Sequence, residues 1–121
     1  MANNIKLIIY MPEKRVLEKQ VYRVVLPCND KTLTVIEDRA PTLLPLDMGI
    51  IKILDEDNHV TEEYFIADGA VDIKENTCTI LTESALNRRD VTLDYAHELY
   101  DEFPNPFYQW LVEFMEKETK K

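Results

Sequence analysis

Few side chains in this sequence could carry out chemistry. The two histidines, His59 and His97, stand far along the chain from either cysteine, so no zinc-binding spacing is present. His97 stands on a predicted helix with two carboxylates near it, Asp94 and Glu98, and these three could serve a small enzyme as an acid–base group. A histidine with two carboxylates on a helix is more often a solvated face, so the sequence ranks an enzyme below a binding protein.

The remaining nucleophiles are isolated. Cys28 and Cys78 lie far apart, and we expect no secretory leader, which indicates small core residues rather than a disulfide and favours a reducing compartment. Ser84 stands in Glu-Ser-Ala-Leu and not in the G-x-S-x-G turn of a serine hydrolase. With only two glycines, Gly49 and Gly69, the sequence lacks a Rossmann fingerprint and a P-loop. We therefore predict no catalytic residue, no cofactor and no metal.

Composition and charge limit the class of protein. The chain has 121 residues, 45% apolar and 31% charged, as expected of a soluble protein with one domain or one small domain and an appendage. Its formal net charge of -9 would be repelled by a phosphate backbone, so nucleic acid is not an expected partner. The apolar run from Leu7 to Pro12 is too short for a signal sequence or a membrane span, and we expect a cytosolic chain that does not insert into a membrane.

Short runs rich in β-branched residues follow one another up to residue 88. Their close spacing, with turn-rich pieces such as Asp55 to Asn58 between them, predicts an antiparallel β-sandwich or flattened barrel of about eight strands. The predicted strands are Ile5 to Tyr10, Val16 to Gln20, Val21 to Leu26, Leu33 to Ile36, Gly49 to Leu54, Glu63 to Ala67, Ala70 to Lys74 and Thr77 to Thr82. We assign residues 1–88 to a β-sandwich domain.

From residue 89 onward the apolar period becomes helical. A first helix has Asp90 or Thr92 as its N-cap and ends at the Pro104-Asn105-Pro106 segment. Its predicted apolar stripe consists of Leu93, Ala96, Tyr100 and Phe103.

A second helix follows, with Asn105 as its cap and Pro106 in its first position. Its apolar stripe consists of Phe107, Trp110, Leu111, Phe114 and Met115, and its outer face of Glu113, Glu116, Lys117 and Lys120. Residues 89–121 are therefore predicted to form a short C-terminal helical hairpin with one apolar face. This face packs on the sandwich or on the first helix; the alternative is a hairpin that detaches and docks elsewhere.

Several segments occur in an order that matches a known family. They are Lys6-Leu7-Ile8-Ile9 with Pro12-Glu13-Lys14, Val24-Val25-Leu26-Pro27, Ala40-Pro41-Thr42-Leu43-Leu44 leading to Gly49, Tyr64 to Val71, and Asn76-Thr77-Cys78-Thr79-Ile80-Leu81. Together they resemble the epsilon subunit of F-type ATP synthases, and the match covers nearly the whole chain. The resemblance implies a β-sandwich followed by two helices, which the periodicity indicates independently.

In that family a loop and the neighbouring strand end lie against the polar loops of the membrane c-ring. By position, the resemblance assigns this contact to Thr32, Glu37, Asp38 and Arg39. The loop departs from the family pattern, because two glycines are lost, Arg39 replaces a histidine, and Thr32 stands where an acidic residue is usual. From the sequence alone, a solvated turn is the simpler interpretation of residues 37–39.

The resemblance also implies that one face of the sandwich lies against the gamma subunit, at Leu43, Leu44, Thr82 and Glu83. Leu43 and Leu44 are adjacent, so in an extended segment their side chains point to opposite sides of the chain. One of them can then face the core while the other faces a partner. For either leucine alone, core packing is the simpler interpretation.

Some relatives bind ATP between their helices through a motif that reads Ile or Leu, Asp, two variable residues, Arg, Ala. The matching residues here are Leu93 and Asp94, with His97 in place of the arginine and Glu98 beside it. A largely neutral imidazole next to a carboxylate is a poor phosphate site, so we predict that the chain does not bind ATP. The segment from Val91 to Lys121 has 7 acidic and 3 basic residues, which also argues against inhibition of ATP hydrolysis by the tail.

The resemblance therefore implies a non-catalytic central-stalk subunit, a rotor component that links gamma to the c-ring and couples ion-driven rotation to ATP synthesis. Such a subunit lies on the inner face of the energy-coupling membrane as part of the F1 sector, and a contact of its C-terminal helices with the alpha and beta subunits stays open. The alternative is a free-standing β-sandwich module that binds a ligand such as a sugar or a peptide. The sequence does not distinguish a proton-driven from a sodium-driven complex.

Overall fold

Alternating apolar residues in the first 87 positions turn one side of each strand toward a shared core. The computed structural model describes residues 4–28 and 30–119. Residues 1–3 and Asn29 of the predicted sandwich, and Lys120 and Lys121 of the predicted hairpin, lie outside the described residues. The strands are β1 (Ile5–Met11), β2 (Lys14–Val21), β3 (Arg23–Cys28), β4 (Lys31–Val35), β5 (Thr42–Leu46), β6 (Gly49–Leu54), β7 (Val60–Ile66), β8 (Gly69–Lys74), β9 (Thr77–Thr82) and β10 (Ala85–Asn87). A 3-10 turn (Arg88–Asp90) leads to the helices α1 (Leu93–Glu102) and α2 (Pro106–Thr119).

The strands form two five-stranded sheets that pack face to face. Sheet A has the order β2-β1-β9-β8-β5 and sheet B the order β10-β7-β6-β3-β4. Neighbouring strands are antiparallel except for β1 and β9, which are parallel. Inward-facing side chains from both sheets, among them Leu7, Leu26, Ile51 and Ile80, are fully buried in one core. The predicted β-sandwich is confirmed, with one parallel pair that the sequence did not indicate.

Two strands, β5 and β10, are absent from the sequence-based prediction. β5 contains Pro45, a residue that cannot donate a ladder hydrogen bond and is tolerated at the edge of a sheet. The structure places β5 at the edge of sheet A, where Pro45 pairs with Ala70. β10 has three residues and pairs with β7, so it is too short to show a period.

The predicted helix caps are confirmed, but the end of the first apolar stripe is not. The side-chain oxygen of Thr92 accepts a hydrogen bond from the backbone nitrogen of Tyr95 at 3.1 Å, and Asn105 Oδ1 accepts one from the nitrogen of Tyr108 at 2.8 Å. Phe103 lies beyond the end of α1 and is 54% exposed, so its predicted place on the buried stripe is wrong. The reason is Pro104, which disfavours a helical conformation in the residue before it.

The hairpin covers the outer face of sheet B. Ile50, Phe65 and Leu86 are register partners across β6, β7 and β10, and we call them the sheet B row. The Phe65 ring is fully buried, with its centroid 5.8 Å from that of Trp110 and 5.3 Å from that of Phe114, both in edge-on geometry. The apolar face of the second helix thus packs on the sandwich, as predicted.

Arg88 joins the hairpin to the sandwich at the start of the 3-10 turn. Its Nη1 lies 2.9 Å from Glu63 Oε1 in β7, and its Nη2 donates to Glu118 of α2. The guanidinium also lies 5.2 Å from the centroid of the Phe114 ring, within reach of a cation–π interaction. One side chain therefore contacts the sheet and two turns of the helix that covers it.

Candidate partner-binding surfaces

The hairpin packs on sheet B through α2, and the outer face of sheet A carries an apolar row that the hairpin leaves uncovered. Tyr10, Leu81, Ala70 and Pro45 are register partners across β1, β9, β8 and β5, and we call them the sheet A row. Leu81 is 56% exposed, and Pro45 is also exposed. Tyr10 and Ala70 are half-buried, so the row is a partly exposed apolar stripe and a candidate surface for contact with a partner.

The two adjacent leucines of β5 point to opposite sides, as the sequence predicts. Leu43 is 74% exposed and stands on the outer face of sheet A, next to the sheet A row. Leu44 is half-buried and packs against the core between the sheets. Only Leu43 is therefore available to a partner.

Thr82 and Glu83 have different roles in the folded chain. Thr82 is buried, and its hydroxyl oxygen lies 2.8 Å from the carbonyl oxygen of Asp68 and 3.1 Å from that of Ser84. Glu83 is exposed and lines a cleft of about 620 Å³ together with Tyr10 and Leu81. Thr82 thus shapes the turn that presents Glu83.

The four residues assigned by resemblance to the c-ring do not lie together. Thr32 pairs with Pro27 beside the β3–β4 turn, at the start of β4. Glu37 follows the other end of β4, and five residues of extended strand span about 16 Å. The structure therefore separates Thr32 from residues 37–39 along the length of the strand.

Residues 37–39 are held by hydrogen bonds instead of forming a free polar turn. Glu37 Oε1 accepts a bond from Asn4 Nδ2 at 2.9 Å, and the backbone nitrogen of Asp38 donates to Asn76 Oδ1 at 2.7 Å. Asp38 has a φ of 62°, and Arg39 is half-buried with its Nη1 3.3 Å from the carbonyl oxygen of Thr34. Glu37 and Asp38 still present exposed carboxylates, whereas Arg39 turns back toward its own strand.

The sequence did not identify Asn4 and Asn76 as residues of this loop. Asn76 sits in the β8–β9 turn with a φ of 60°, a conformation that asparagine tolerates well. The turn is readable from the Lys74-Glu75-Asn76 segment, but its partner 38 residues away is not. The contact joins a turn of sheet A to the end of a sheet B strand, so it depends on how the two sheets pack.

The residues of the degenerate ATP motif are spread over the first turns of α1. Leu93 is half-buried, while Asp94 and His97 are exposed. Glu98, the other carboxylate of the predicted acid–base group, is exposed as well. The inner face of α1 is formed by Ala96, Leu99 and Tyr100, so the polar motif residues point away from the contact between the helices.

A cluster of possible metal ligands occurs in the β6–β7 turn. Atoms of Asp55, Asp57 and His59 that could ligate an ion lie within 4.8 Å of one another. Asp55 Oδ1, however, accepts hydrogen bonds from the backbone nitrogens of Asp57 at 2.9 Å and His59 at 3.0 Å. These bonds are the ordinary chemistry of an Asx turn and account for the cluster without an ion.

Cys78 behaves as a core residue, as predicted. It is fully buried, and burial raises the pKa of its thiol to about 12, so it stays protonated and unreactive near neutral pH. Cys28 is half-buried, with its Sγ 3.5 Å from the carbonyl oxygen of Pro45. Burial also raises the pKa of Tyr64, whose hydroxyl lies 3.4 Å from Asn87 Nδ2.

The fold defines a two-sheet β-sandwich with a C-terminal helical hairpin over one sheet and a partly exposed apolar row on the other. The chain belongs to the ATP synthase delta/epsilon chain family, whose beta-sandwich domain matches residues 4–88. Within residues 4–28 and 30–119, no helix combines the length and the apolar character that a membrane span requires.

Relatives of known name are similar over most of the chain. The ATP synthase epsilon chain of Pelagibacter ubique is 33% identical over 100 residues, which is 82% of this chain and 75% of that protein. The ATP synthase epsilon chain of Rhizobium rhizogenes is 32% identical over 94 residues, which is 78% of this chain and 69% of that protein.

Two solved structures contain chains with the same fold at 18% identity. One is the mitochondrial ATP synthase of Euglena gracilis, OSCP/F1/c-ring in rotational state 1, with a TM-score of 0.67 over 92% of this chain and 74% of the other. The second is the central stalk and c-ring of the Tetrahymena thermophila mitochondrial ATP synthase, with a TM-score of 0.61 over 96% of both chains. The shared fold therefore includes the C-terminal helices as well as the sandwich.

Proposed function

We propose that this chain is a non-catalytic central-stalk subunit of an ATP synthase, which joins the gamma subunit to the c-ring and transmits rotation to the catalytic head. The observation that carries the proposal is the open sheet A row on a chain of the epsilon family. A rotor clamp needs a rigid body and two contact surfaces, and it needs no activated side chain. The chain then lies on the inner face of the energy-coupling membrane and reaches the membrane only through the ring.

The gamma contact is assigned to the outer face of sheet A. Leu43 and Glu83 are exposed there and supply an apolar and a charged contact beside the sheet A row. Leu44 and Thr82 lie on the core side of the same sheet and hold these two residues in position. Leu44 packs on the core, and the Thr82 hydroxyl is hydrogen-bonded to the carbonyl oxygen of Asp68 next to Glu83. Burial of apolar surface supplies most of the affinity of such an interface, and charges at its rim supply orientation.

The c-ring contact is assigned to one end of the sandwich. Thr32 and residues 37–39 lie at opposite ends of β4, so a flat ring surface meets either the Thr32 end or the Glu37 end. At the Glu37 end, Asn4 and Asn76 connect the loop to sheet A, so that a load on the loop reaches both sheets. At the Thr32 end, the exposed Asp30, Lys31 and Thr32 form the tip of the β3–β4 hairpin.

Affinity purification of the tagged chain from detergent-solubilised membranes of its source organism tests the function. We expect the gamma subunit and the c-ring to co-purify with it, and mass spectrometry identifies both. The double variant Leu43→Asp with Leu81→Asp should lose gamma, whereas Asp57→Asn in the distant β6–β7 turn should not. Recovery of the chain without gamma would refute the rotor function.

The same purification locates the ring contact. A new positive charge at each end, from Thr32→Lys or Asp38→Lys, should disrupt a contact only at the end that meets the ring. We expect one of the two variants to lose the c-ring while it keeps gamma, and that variant identifies the end. Retention of the ring by both variants would contradict a ring contact at Thr32 and at Asp38; the same charge change at Glu37 and Arg39, by Glu37→Lys and Arg39→Glu, tests the other two residues.

We further propose that the hairpin neither binds ATP tightly nor strongly inhibits ATP hydrolysis. His97 cannot provide the fixed arginine fork that favours phosphate, and the exposed Asp94 and Glu98 on the same helix repel it. Titration of ATP, followed by Trp110 fluorescence and calorimetry, should show no saturable binding at micromolar concentration. Deletion of the residues after Phe103 tests the proposed lack of inhibition. A large rise in ATP hydrolysis by the ATP synthase that carries this deletion would contradict it and would point to contact of the hairpin with the alpha and beta subunits.

A further inference from the structure

Two turns at one end of the sandwich are bonded to each other and form a firm ridge, residues 67–68 and 83–84. The backbone nitrogen of Ala67 donates to the carbonyl oxygen of Ser84 at 3.0 Å, and the buried Thr82 hydroxyl lies 2.8 Å from the carbonyl oxygen of Asp68. Gly69 permits this close approach, because a Cβ at that position would lie 2.0 Å from the carbonyl oxygen of Leu81. The ridge is therefore held by one backbone hydrogen bond, the Thr82 hydroxyl and the close approach of β8 to β9 at Gly69.

The ridge presents two carboxylates, those of Asp68 and Glu83. Both residues are exposed, and neither forms an ion pair among the contacts within residues 4–28 and 30–119. The bonds that join the two turns use the Ala67 nitrogen, the carbonyl oxygens of Asp68 and Ser84 and the Thr82 hydroxyl, so they do not use either carboxylate.

An apolar cleft lies on each side of the ridge, and Asp68 and Glu83 line both. The first cleft, of about 620 Å³, is lined by Tyr10, Pro12 and Leu81 at the end of the sheet A row. The second, of about 480 Å³, lies between the sandwich and the start of α2, where Met48 and Phe107 line it, and Asp47 adds a third carboxylate. Asp68 and Glu83 thus stand between two clefts, and each cleft has apolar residues in its lining.

We propose that this ridge and its two clefts bind an extended segment of a partner protein that carries arginine or lysine next to apolar residues. The aliphatic stem of such a side chain lies on an apolar floor while its cationic head meets the carboxylates of the ridge. The net charge of -9 attracts such a segment and repels an acidic one. The proposal rests on the proposed function in one respect: the first cleft belongs to the face assigned to gamma, so the basic segment is expected in that subunit.

The test is a titration of the full-length chain, followed by amide shifts in ¹H–¹⁵N spectra. The probe is an acetylated and amidated heptapeptide of alternating arginine and leucine, and its control has glutamate at every arginine position. We expect saturable shifts confined to residues 10–11, 47–48, 67–70, 81–85 and 105–107, which line the two clefts and the ridge, with the arginine peptide alone. The double variant Asp68→Asn with Glu83→Gln should weaken binding about fivefold or more, since two partly exposed ion pairs are removed.

A matched variant distinguishes the effect of the two ridge carboxylates from the effect of the net charge of the chain. Asp57→Asn with Glu113→Gln also removes two exposed carboxylates, but they lie in the β6–β7 turn and on the outer side of α2, and its affinity should stay within about twofold of the parent. Equal binding of the two peptides, or equal loss in both double variants, would overturn the ridge site. Peptide binding at the ridge by a chain that fails to recover gamma from membranes would keep the site and refute the rotor function.

Discussion

Each sheet of the sandwich turns an apolar row outward, but the chain covers only one of the two. The sheet B row lies under α2, and its central residue, Phe65, is fully buried between the rings of Trp110 and Phe114. The sheet A row runs across four strands in the same way, yet its central residue, Leu81, is 56% exposed. The same pattern of outward apolar residues thus serves stability on one face and is left free for binding on the other.

The difference follows from where the chain leaves the sandwich. β10 pairs with β7 at the edge of sheet B, and the 3-10 turn directly after it leads the helices over that sheet. Arg88 then holds α2 in place through Glu63 and Glu118. Apolar surface that the chain's own helices cover contributes to the free energy of unfolding. Apolar surface that stays open is removed from water only when a partner binds, so it contributes to the free energy of binding instead.

The largest effect is expected from removing all residues after Arg89, which uncovers the sheet B row. The fragment retains the core between the sheets, so it should still unfold cooperatively, as expected if residues 1–88 form a domain. Its exposed Phe65 should drive self-association, which sedimentation measures and the full chain should not show. A monomeric fragment as stable as the full chain would mean that the cover contributes nothing, and a non-cooperative melt would contradict the domain division.

Alanine substitutions compare the two rows directly. Phe65→Ala leaves a cavity beneath α2 and should lower the free energy of unfolding by about 3–5 kcal/mol. Leu81→Ala removes a half-exposed side chain, so its cost should be within about 0.5 kcal/mol. Urea denaturation of both variants measures the difference, and similar losses in the two would show that the sheet A row is also covered in solution.

A smaller effect is expected at the junction between the sandwich and the hairpin. Arg88→Gln removes two ion pairs that are partly exposed to solvent, so the cost should be about 1 kcal/mol and should shrink at high salt. Arg88→Lys keeps the charge but loses the two-pronged geometry of the guanidinium. Its free energy of unfolding should therefore lie between those of the parent protein and Arg88→Gln. Trp110 fluorescence during urea unfolding reports on the hairpin, and an unchanged transition in Arg88→Gln would exclude this residue as its anchor.

The smallest effect on stability is expected on the open face itself. Leu43 is 74% exposed, so Leu43→Ser should change the free energy of unfolding by less than about 0.5 kcal/mol. The neighbouring Leu44 packs on the core, and Leu44→Ser should cost clearly more. Thermal denaturation compares the adjacent pair, and a larger loss at Leu43 would reverse the assignment of the two sides of β5.

Local features of the fold are predictable from the sequence. The strands with regular alternation, the caps at Thr92 and Asn105 and the apolar stripe of α2 all follow from interactions within a few residues, and the structure confirms them. The two strands that the sequence did not predict and the wrong placement of Phe103 also have local causes. β5 contains a proline that only an edge position tolerates, β10 is too short to show a period, and Phe103 stands before a proline that ends its helix.

The sequence by itself determined which residues alternate, where the helices begin and that Leu43 and Leu44 face opposite ways. Only the tertiary structure decided which outward row is covered, that Thr32 and residues 37–39 stand at opposite ends of β4, and that Asn76 holds Asp38. The physical reason is that periodicity records the direction of a side chain relative to its own backbone. What lies against that side chain depends on contacts between segments far apart in the chain, and these exist only once the sheets and the hairpin have packed.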